Sequence, residues 1–590
     1  MALSRTSADH APTRTVDADR RELVGLGVGR GVVIAPLAVV RPAPEVPTDE
    51  PAAADPRRRA DDVAEVFVHI AQTLRDQAAA SEGALAVVLD ATASIAGDPA
   101  LAADVRRRIL GGEGPATAVF AACETFAALL ERLGGPMAER VTDLRSVRDR
   151  AVAAALGEAP PGLPPLDVVS VVAAADLSAA DTAALDLSLV AALLTEQGGP
   201  TGHTAIIAGQ LGIPCVVRLL GITEVEPGTV VGVDAARGTV TVAPGAGARE
   251  ALARREHLES ELARDVRAGS TSDGHPVGLL ANIGTVDDAR RAAATAAEGV
   301  GLFRTEVLFL GRQTAPSIRE QADACRASLD ALGGRKLVVR TLDAGADKPL
   351  AFVDQADEEN PALGVRGYRL ARTDPGLVEN QLAALASAAE SEGTAVTDGT
   401  ALTGSTSDLW VMAPMVATPT EARDFASRAR AARLSTVGVM IEVPAAALRA
   451  QEIVAEVDFV SIGTNDLAQY TMAADRLRGE LADLLDPWQP AVLDLIAMTA
   501  AAGTRAGKPV GVCGESASDP LMALVLAGLG VTSLSMSVPA LPAVRFALRR
   551  HSLARCREIS RVALGAGTAE ASRQAALVLT DPEVRETLAL

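Results

Sequence analysis

Aromatic residues and excess positive charge are both scarce in this sequence, and each shortage excludes a class of function. Phe, Trp and Tyr make up 2 % of the 590 residues, so few side chains can stack on nucleic-acid bases. The formal net charge of −20 argues against nucleic acid as the main partner, because proteins that bind it present a basic surface. An acidic chain is instead suited to a basic protein partner.

Cysteines are few and scattered, and no CxxC pair occurs among the five. That spacing supports neither a zinc site nor a disulfide framework, and it is typical of a reducing compartment. Residues 1–22 lack the apolar core of a signal peptide, and no apolar run reaches the length of a membrane span. We therefore expect a cytoplasmic protein without membrane association, whose first residues form a disordered tail.

The N-terminal half divides into segments of different character. Residues 23–41 alternate valine with glycine, which predicts a strand pair with turns. From Arg57 to about Leu156 an alanine-rich helical pattern is broken at two Gly-Gly pairs, which predicts a bundle of roughly four helices. Short strands alternate with turns after residue 166, and we assign them to an α/β domain together with the strands of 23–41. A charged helix that begins near residue 245 connects this half to the rest.

The C-terminal half repeats an apolar strand followed by a helical pattern eight times over about 300 residues. That order predicts a (β/α)8 barrel of the TIM type, so the expected fold class is a multidomain α/β protein with an inserted helical bundle and a C-terminal barrel. The eight predicted strands are 277–284, 299–304, 336–341, 409–415, 437–442, 457–463, 509–514 and 532–537.

Polar residues stand where these strands end, which is the face of such a barrel that carries the active site. They are Arg304, Arg340, Glu442, Asn465, Asp466 and Cys513. The two carboxylates, Glu442 and Asp466, are hard oxygen ligands that suit Mg²⁺. The two arginines, joined by Arg476 beyond Asp466, provide planar donors for phosphate or carboxylate oxygens.

Magnesium together with several arginines is a common arrangement for stabilising a phosphoryl group in transfer. No GxxxxGK[ST] loop occurs in the sequence, so a small phosphorylated acid is a better candidate substrate than ATP.

One histidine, His203, directly precedes an apolar helical run in the segment GGPTGHTAIIAGQLGIP, residues 198–214. Its ring would lie near the positive end of that helix. Backbone N–H groups and the hydroxyls of Thr201 and Thr204 would there surround a phosphoryl group attached to it. A glycine-flanked loop is not the setting of a histidine packed in a core, so we predict a functional role for His203.

The sequence contains several long and distinctive segments, which are GG-x-T-x-H-T, GVGLFRTE, VVRTLDAGADK, EENPALGVRGYR, GVMIEVPAA, FVSIGTNDLAQYTMAADR and GVCGESA. Together they resemble Enzyme I of the bacterial phosphoenolpyruvate:sugar phosphotransferase system. The resemblance spans about residues 23–575. It implies a swivelling phosphohistidine domain, a helical insert that binds the carrier protein HPr, and a barrel that binds phosphoenolpyruvate and forms a homodimer.

The implied boundaries follow the segments described above. They are 1–22 for the tail, 23–45 with 157–244 for the phosphohistidine domain, 55–156 for the HPr-binding domain, 245–270 for the linker helix and 271–580 for the barrel.

The resemblance also implies a role for each candidate residue. His203 accepts the phosphoryl group of phosphoenolpyruvate on Nε2 and passes it to a histidine of HPr. Glu442 and Asp466 hold Mg²⁺, and Cys513 protonates the methylene carbon of the departing enolate, which releases pyruvate. Phosphoenolpyruvate is bound by Arg304, Arg340, Asn465, Asp466 and Arg476, with Arg366 as a further helper.

One departure from the family pattern precedes the active histidine. Gly202 stands where the family commonly has serine, which removes a hydroxyl that could bind the phosphohistidine, so slower transfer is expected. Two alternatives remain open. A phosphoenolpyruvate synthase or pyruvate phosphate dikinase shares the swivelling domain and the barrel, but it needs an ATP-binding domain for which the chain has no room. A catalytically silent regulatory paralogue would lack a key group, yet every catalytic residue type is present.

Overall fold

The computed structural model confirms the expected fold class, with one mixed sheet, a helical bundle and a closed barrel. The residues it describes are 21–79, 92–133, 135–159, 161–164, 166–175, 177, 188–198, 204–205, 208, 213–309, 312–345, 350, 352–353, 358–390, 396–397, 400–401, 408–475, 481 and 483–590.

The N-terminal sheet has eight short strands rich in valine, a residue that favours extended backbone. In chain order they are β1 Arg21–Val24, β2 Leu26–Val28, β3 Val32–Val39, β4 Ser170–Ala174, β5 Val190–Thr195, β6 Cys215–Val217, β7 Val230–Asp234 and β8 Thr239–Val242. Their order across the sheet is β1-β8-β7-β3-β4-β5-β6-β2. Two strands that follow each other directly in the chain, β1 and β2, therefore form its opposite edges.

The expectation of a strand pair within residues 23–41 is wrong. The segment contributes to three strands, and none of them pairs with another: β1 pairs with β8, β2 with β6, and β3 with β7 and β4. Glycines allow the chain to change direction between these strands, since Gly29 and Gly31 have φ of 74° and 141°. Arg21 and Glu22, which we expected in the tail, belong to β1.

The helical bundle is inserted between β3 and β4, which pair in parallel although about 130 residues separate them. Its longer helices are α1 Pro56–Ala79, α2 Pro99–Leu110, α3 Pro115–Leu133 and α4 Gly135–Leu156. Apolar residues at helical spacing, such as Val63, Phe67 and Leu74 on α1, are at most 2 % exposed and form a separate core. The bundle therefore has its own hydrophobic core, apart from that of the sheet.

Eight parallel strands close into the barrel, and each one overlaps a strand expected from the sequence. They are β9 Gly278–Ile283, β10 Gly299–Arg304, β11 Lys336–Arg340, β14 Leu409–Ala413, β15 Thr436–Ile441, β16 Phe459–Ile462, β17 Val510–Val512 and β18 Ser533–Met536. A small hairpin, β12 Val396–Thr397 with β13 Thr400–Ala401, lies in the polar segment 390–408 that precedes β14.

Helices surround the barrel and complete the C-terminal half. They are α5 Ala246–Ala263, α6 Val286–Ala293, α7 Ile318–Leu332, α8 Pro375–Ala389, α9 Pro419–Ala431, α10 Pro444–Leu448, α11 Ala450–Glu456, α12 Thr464–Met472, α13 Pro490–Ala506, α14 Pro520–Leu529, α15 Leu541–Arg550, α16 Leu553–Leu564, α17 Ala569–Leu579 and α18 Pro582–Leu588. No described helix is long and apolar enough to cross a membrane.

The linker helix α5 is joined to the sheet by ion pairs. Arg30, between β2 and β3, binds Glu259 of α5 at 2.6 Å, and Arg255 of α5 binds Asp234 of β7 at 3.4 Å. Both arginines also donate to backbone carbonyls at the end of α18, Arg30 to Leu588 and Arg255 to Thr587. Side chains from the sheet and from the linker thus converge on the last helix.

Candidate active site

Successive side chains of a strand point alternately into the barrel and toward the helices, and this alternation decides which polar side chains enter the barrel mouth. Leu302, Val338 and Met440 form an interior cluster, whereas their neighbours in the strands pack against the surrounding helices. Arg304, Arg340 and Glu442 each follow one of these inward residues by two positions, at the C-terminal ends of β10, β11 and β15. The same alternation places Cys513, directly after β17, in the interior cluster.

Glu442 is a buried carboxylate with only one of its oxygens bonded. Oε1 accepts a hydrogen bond from the backbone N–H of Met415 at 2.6 Å. Within the described part of the chain, Oε2 has no hydrogen-bond partner. Burial, and then the negative charges of Asp466 and Asp343, raise the pKa of Glu442 to about 8. The negative charges of Asp466 and Asp343 thus act on this carboxyl, and a bound cation would offset them.

Gly463 provides the space for Glu442 Oε2. A Cβ atom at this position would lie 2.6 Å from Glu442 Oε2 and 2.9 Å from Met440 Cε. Glycine thus lets the chain that leaves β16 pass directly beside the carboxylate.

Asp466, on the first turn of α12, is held by an arginine from another loop. Arg366 Nη2 donates to Asp466 Oδ1 at 3.0 Å and the same guanidinium binds Asp343. Burial opposes the charge of Arg366, but the carboxylates of Asp343 and Asp466 outweigh it and raise the pKa of Arg366. Since Arg366 is 1 % exposed, its visible role is to hold two carboxylates in place.

The two arginines at the ends of β10 and β11 differ in their partners. Arg340 is buried, forms an ion pair with Glu306 and approaches Asp343 at 3.3 Å. Arg304 is half-buried, and no hydrogen bond or ion pair joins it to another described residue. Burial, and then the positive charge of Arg340, lower the pKa of Arg304. A guanidinium without a carboxylate partner is available for an anionic ligand.

Cys513 keeps its proton at neutral pH. Burial raises the pKa of the Cys513 thiol to about 11, although a hydrogen bond from Ser461 acts in the opposite direction. Charges on Glu442, Arg340 and Arg304 also act on the thiol, so all four groups share one site. Such a thiol can act as an acid and is a poor nucleophile.

Asn465 connects the turn after β16 with the turn after β17. Its Oδ1 accepts a hydrogen bond from the backbone N–H of Glu515 at 3.0 Å. That contact fixes Asn465 at the mouth, beside the residues that follow Cys513.

Two of the predicted site residues, His203 and Arg476, lie outside the residues that the structure describes. Close to His203, Thr204 is described as helical and buried, and its hydroxyl donates to the carbonyl of Leu177 at 3.2 Å. That hydroxyl is therefore bonded to the backbone instead of being free for a phosphoryl group.

Glu306 and Asp343, which pair with the site arginines, were absent from our prediction. Glu306 stands two residues after Arg304 in FRTE, and Asp343 stands three after Arg340 in RTLDAG. An acidic residue close to each strand-end arginine was the signal that could have indicated them.

A divalent cation fits the pair of carboxylates. No cluster of three or more His, Cys, Asp or Glu side chains arranged for a metal occurs among the described residues. Glu442 Oε2 is nevertheless buried without a partner, and the charge of Asp466 acts directly on it. Two carboxylates completed by water and substrate oxygens are a common way of holding Mg²⁺.

Three family models match the chain. The PEP-binding domain of PEP-utilising enzymes matches residues 259–553, their mobile domain matches 167–238, and their N-terminal domain matches 24–140. The first covers the C-terminal end of the linker helix and all eight barrel strands, and the second covers β4 to β7.

Curated relatives resemble the chain over most of its length. A phosphoenolpyruvate-protein phosphotransferase of Streptomyces coelicolor is 46 % identical over 95 % of this chain and 99 % of its own length. Proteins of the same name from Haloferax volcanii and Listeria innocua are 40 % and 34 % identical. They cover 82 % and 93 % of this chain, and 85 % and 98 % of their own lengths.

Proposed function

Since the chain belongs to the phosphoenolpyruvate-protein phosphotransferases, the Enzyme I family of the phosphotransferase system, we propose that it phosphorylates itself on His203 and then phosphorylates HPr. The phosphoryl donor is phosphoenolpyruvate and the second product is pyruvate. In this proposal the transfer to a histidine of HPr is the first step of sugar uptake.

The observation that carries the proposal is the convergence of unlike groups at one barrel mouth. Arg304 has no described carboxylate partner, Glu442 has a free buried oxygen, and Cys513 is a protonated thiol. A phosphorylated enol acid needs a cation for its phosphate, a divalent metal for its negative oxygens and an acid for its carbon. The three groups meet those needs together.

The arginines and Asn465 bind and orient the substrate in this proposal. Arg304 contacts the anionic oxygens of phosphoenolpyruvate. Arg340 is held by Glu306 and Asp343, so its orientation is fixed before substrate arrives, and such preorganisation lowers the reorganisation cost during reaction. Arg476 completes the set from beyond Asp466.

Glu442 and Asp466 are the residues that would hold Mg²⁺. When bound, the ion supplies Lewis-acid stabilisation of the charge on the phosphate and enolate oxygens. Arg366 keeps Asp466 in position through the 3.0 Å contact.

Cys513 donates the proton to the methylene carbon of the enolate in this proposal. The P–O bond to the enol oxygen breaks, and the phosphoryl group forms a bond with Nε2 of His203. The enolate then takes the Cys513 proton on its methylene carbon and becomes pyruvate. At neutral pH the thiol holds that proton because burial raises its pKa to about 11.

In the sequence His203 stands between β5 and β6, whereas the candidate site lies at the barrel mouth, so the proposal includes a movement of the N-terminal sheet domain. We propose that it swivels between the barrel and HPr bound on the helical bundle, with the barrel forming a homodimer. A cytoplasmic location is supported by the five cysteines, all of which are buried and free of disulfides.

Phosphoenolpyruvate and Mg²⁺ should add one acid-labile phosphoryl group to the protein, as measured by intact mass. We expect none on His203→Ala, and transfer of the wild-type label to HPr without ATP or AMP. His257→Ala, which changes an exposed histidine of the linker helix, is the matched control and should be labelled fully. An unlabelled wild type would contradict the proposal.

Cys513 is tested in the two directions of transfer. Cys513→Ala should accept phosphate backward from phospho-HPr at the normal rate, because that step needs no proton on carbon. The same variant should fail to discharge phosphoenolpyruvate normally, and an unimpaired variant would refute the acid role.

A further inference from the structure

Ser461 is a buried hydroxyl beside the apolar cluster of the barrel interior. It is 5 % exposed and lies on β16 two residues after the inward-facing Phe459, whereas Val460 and Ile462 pack against the helices. Barrel interiors are mostly filled by branched apolar residues, and a buried hydroxyl costs free energy unless it is hydrogen-bonded. The side chain therefore needs a partner to be tolerated.

That partner is the thiol of Cys513. Ser461 Oγ donates to Cys513 Sγ at 3.2 Å, and in the described structure this is the only hydrogen bond of the serine side chain. Gly511 pairs with Ser461 in the strand register and stands two residues before Cys513. A Cβ atom at Gly511 would lie 3.6 Å from Ser461 Oγ, so glycine leaves room beside the hydroxyl on this face of the sheet.

The backbone of Cys513 is fixed by other contacts. Its N–H donates to the carbonyl of Ile462 at 3.1 Å, and its carbonyl accepts from Asn282 Nδ2 at 3.2 Å. Asn282 in turn accepts a hydrogen bond from Ser535 at 2.7 Å. Among the described residues the thiol has one further hydrogen bond, a long one that it donates to the carbonyl of Ile462 at 3.7 Å. Loss of the Ser461 hydroxyl would therefore leave the main chain in place and leave the thiol oriented by that long contact.

From this geometry we infer that Ser461 is a positioning residue, which directs the Cys513 thiol toward the substrate carbon and stabilises the sulfur after its proton has left. The inference rests on the acid role proposed above for Cys513. The S–H bond breaks and its electron pair remains on sulfur as a thiolate. The new C–H bond is formed by the electron pair of the enolate.

The Ser461 contact strengthens as the proton leaves. A hydroxyl that donates to a thiolate forms a charge-assisted bond, which is stronger than the bond to a neutral thiol. An interaction that is stronger in the transition state than in the ground state accelerates the step. Ser461 therefore acts on the rate of proton transfer and has no part in phosphoryl transfer itself.

Single-turnover discharge of phosphoenolpyruvate tests the inference. We expect Ser461→Ala to slow discharge about 10- to 100-fold, a part of what an acid contributes in total, and to raise the solvent deuterium isotope effect. Ser461→Thr keeps the hydroxyl and should restore most of the rate. Transfer backward from phospho-HPr should be unchanged in both variants, which also demonstrates that they are folded.

A matched control separates this role from the loss of any buried hydroxyl. Ser328 on α7 is fully buried, and its hydroxyl donates to the carbonyl of Ala324 at 2.9 Å. Ser328→Ala should discharge phosphoenolpyruvate at the wild-type rate. If Ser461→Ala also retains that rate, the inference is overturned. It is equally overturned if Ser461→Ala and Ser328→Ala slow discharge to the same extent.

A double-mutant cycle gives the sharpest outcome. In a Cys513→Ala background, Ser461→Ala should cause no further loss, because the serine acts only through the thiol. Additive losses would overturn the positioning role while leaving the acid role intact. A Cys513→Ala variant with normal discharge would instead refute the acid role, so the two failures are distinguishable.

Discussion

Both carboxylate oxygens of Asp343 accept hydrogen bonds from the guanidinium of Arg366, Oδ1 from Nε and Oδ2 from Nη2, each at 3.1 Å. The pair is almost completely buried, and Arg366 also forms an ion pair with Asp466. Asp466, one of the two carboxylates proposed to hold Mg²⁺, is thus supported by a charge network that begins in a different loop.

Removal of the Arg366 guanidinium should be strongly destabilising. Arg366→Met removes the buried guanidinium that binds both Asp343 and Asp466, and we expect a loss of about 3–5 kcal/mol in the free energy of unfolding, as for other broken buried pairs. Urea unfolding measures it. The control is Arg372→Met, since the side chain of Arg372 is 70 % exposed and pairs with Glu421. A surface ion pair of this type contributes about 1 kcal/mol or less to stability. Equal losses in the two variants would show that the network contributes no more than a surface pair.

Magnesium affinity should rise with pH until the pH passes the pKa of Glu442. The ion has to displace the proton of Glu442, whose pKa burial and the charge of Asp466 raise to about 8. A thermal-shift titration with MgCl₂ at a series of pH values measures this. Glu442→Gln should remove the dependence, and a wild-type affinity that does not vary with pH would contradict the assignment.

In the metal-free protein, Glu442 should make the free energy of unfolding fall as the pH rises. Its pKa is raised above the ordinary value of 4.5, so its stabilising contribution is complete below about pH 4.5 and is lost as the pH rises through 8. The difference in unfolding free energy between wild type and Glu442→Gln should therefore fall over that interval when measured in EDTA.

Gly463→Ala should reduce activity with a smaller effect on folding. The added methyl would lie 2.6 Å from Glu442 Oε2 and would push that oxygen out of place. A displacement of about 1 Å at a reacting centre can reduce the rate about 100-fold, and discharge of phosphoenolpyruvate measures it. Gly567→Ala is the control, because a Cβ there has no neighbour within 4 Å, and it should be fully active.

Acid should weaken the C-terminal helices through His551. The ring is buried, Nδ1 lies 2.8 Å from the carbonyl of Ala547, and Nε2 accepts from the N–H of Asp581 at 2.9 Å. Burial lowers the pKa of His551 below its ordinary 6.5. The contribution is therefore present above pH 6.5 and is lost as the pH falls through the lowered value, with a slope of at most about 1.4 kcal/mol per pH unit.

The measurement is urea unfolding as the pH is lowered from neutral. His551→Gln should be less stable at neutral pH but should lack this acid-dependent loss, whereas His257→Gln, at an exposed site, should follow the wild type. A wild-type profile identical to that of His551→Gln would contradict the assignment.

The barrel could be predicted because its strands are buried on both faces and are followed by polar residues. Such runs stand out from the helices between them, and the period of two then places Arg304, Glu442 and Cys513 at one mouth. The partners of these residues depend on how loops return to the mouth. Asp343 and Arg366 are 23 residues apart, and no local pattern in the sequence pairs them.

The N-terminal sheet shows the same limit. Valine and glycine near residue 30 indicate strands, but the partners of β1, β2 and β3 come from distant parts of the chain. Local spacing cannot predict such long-range pairing, since register is set by the final packing. Ser461 was overlooked because a serine within an apolar strand has no distinctive spacing, and its importance is visible only beside Cys513.

The insertion of the helical bundle between the paired strands β3 and β4 sets an order of events during synthesis. At about 5–20 residues per second, β3 leaves the ribosome roughly ten seconds before β4. Over that interval the bundle can form its own core, while the parallel partner of β3 does not yet exist. The nascent chain can therefore carry a folded bundle next to three strands whose partners have not yet been synthesised.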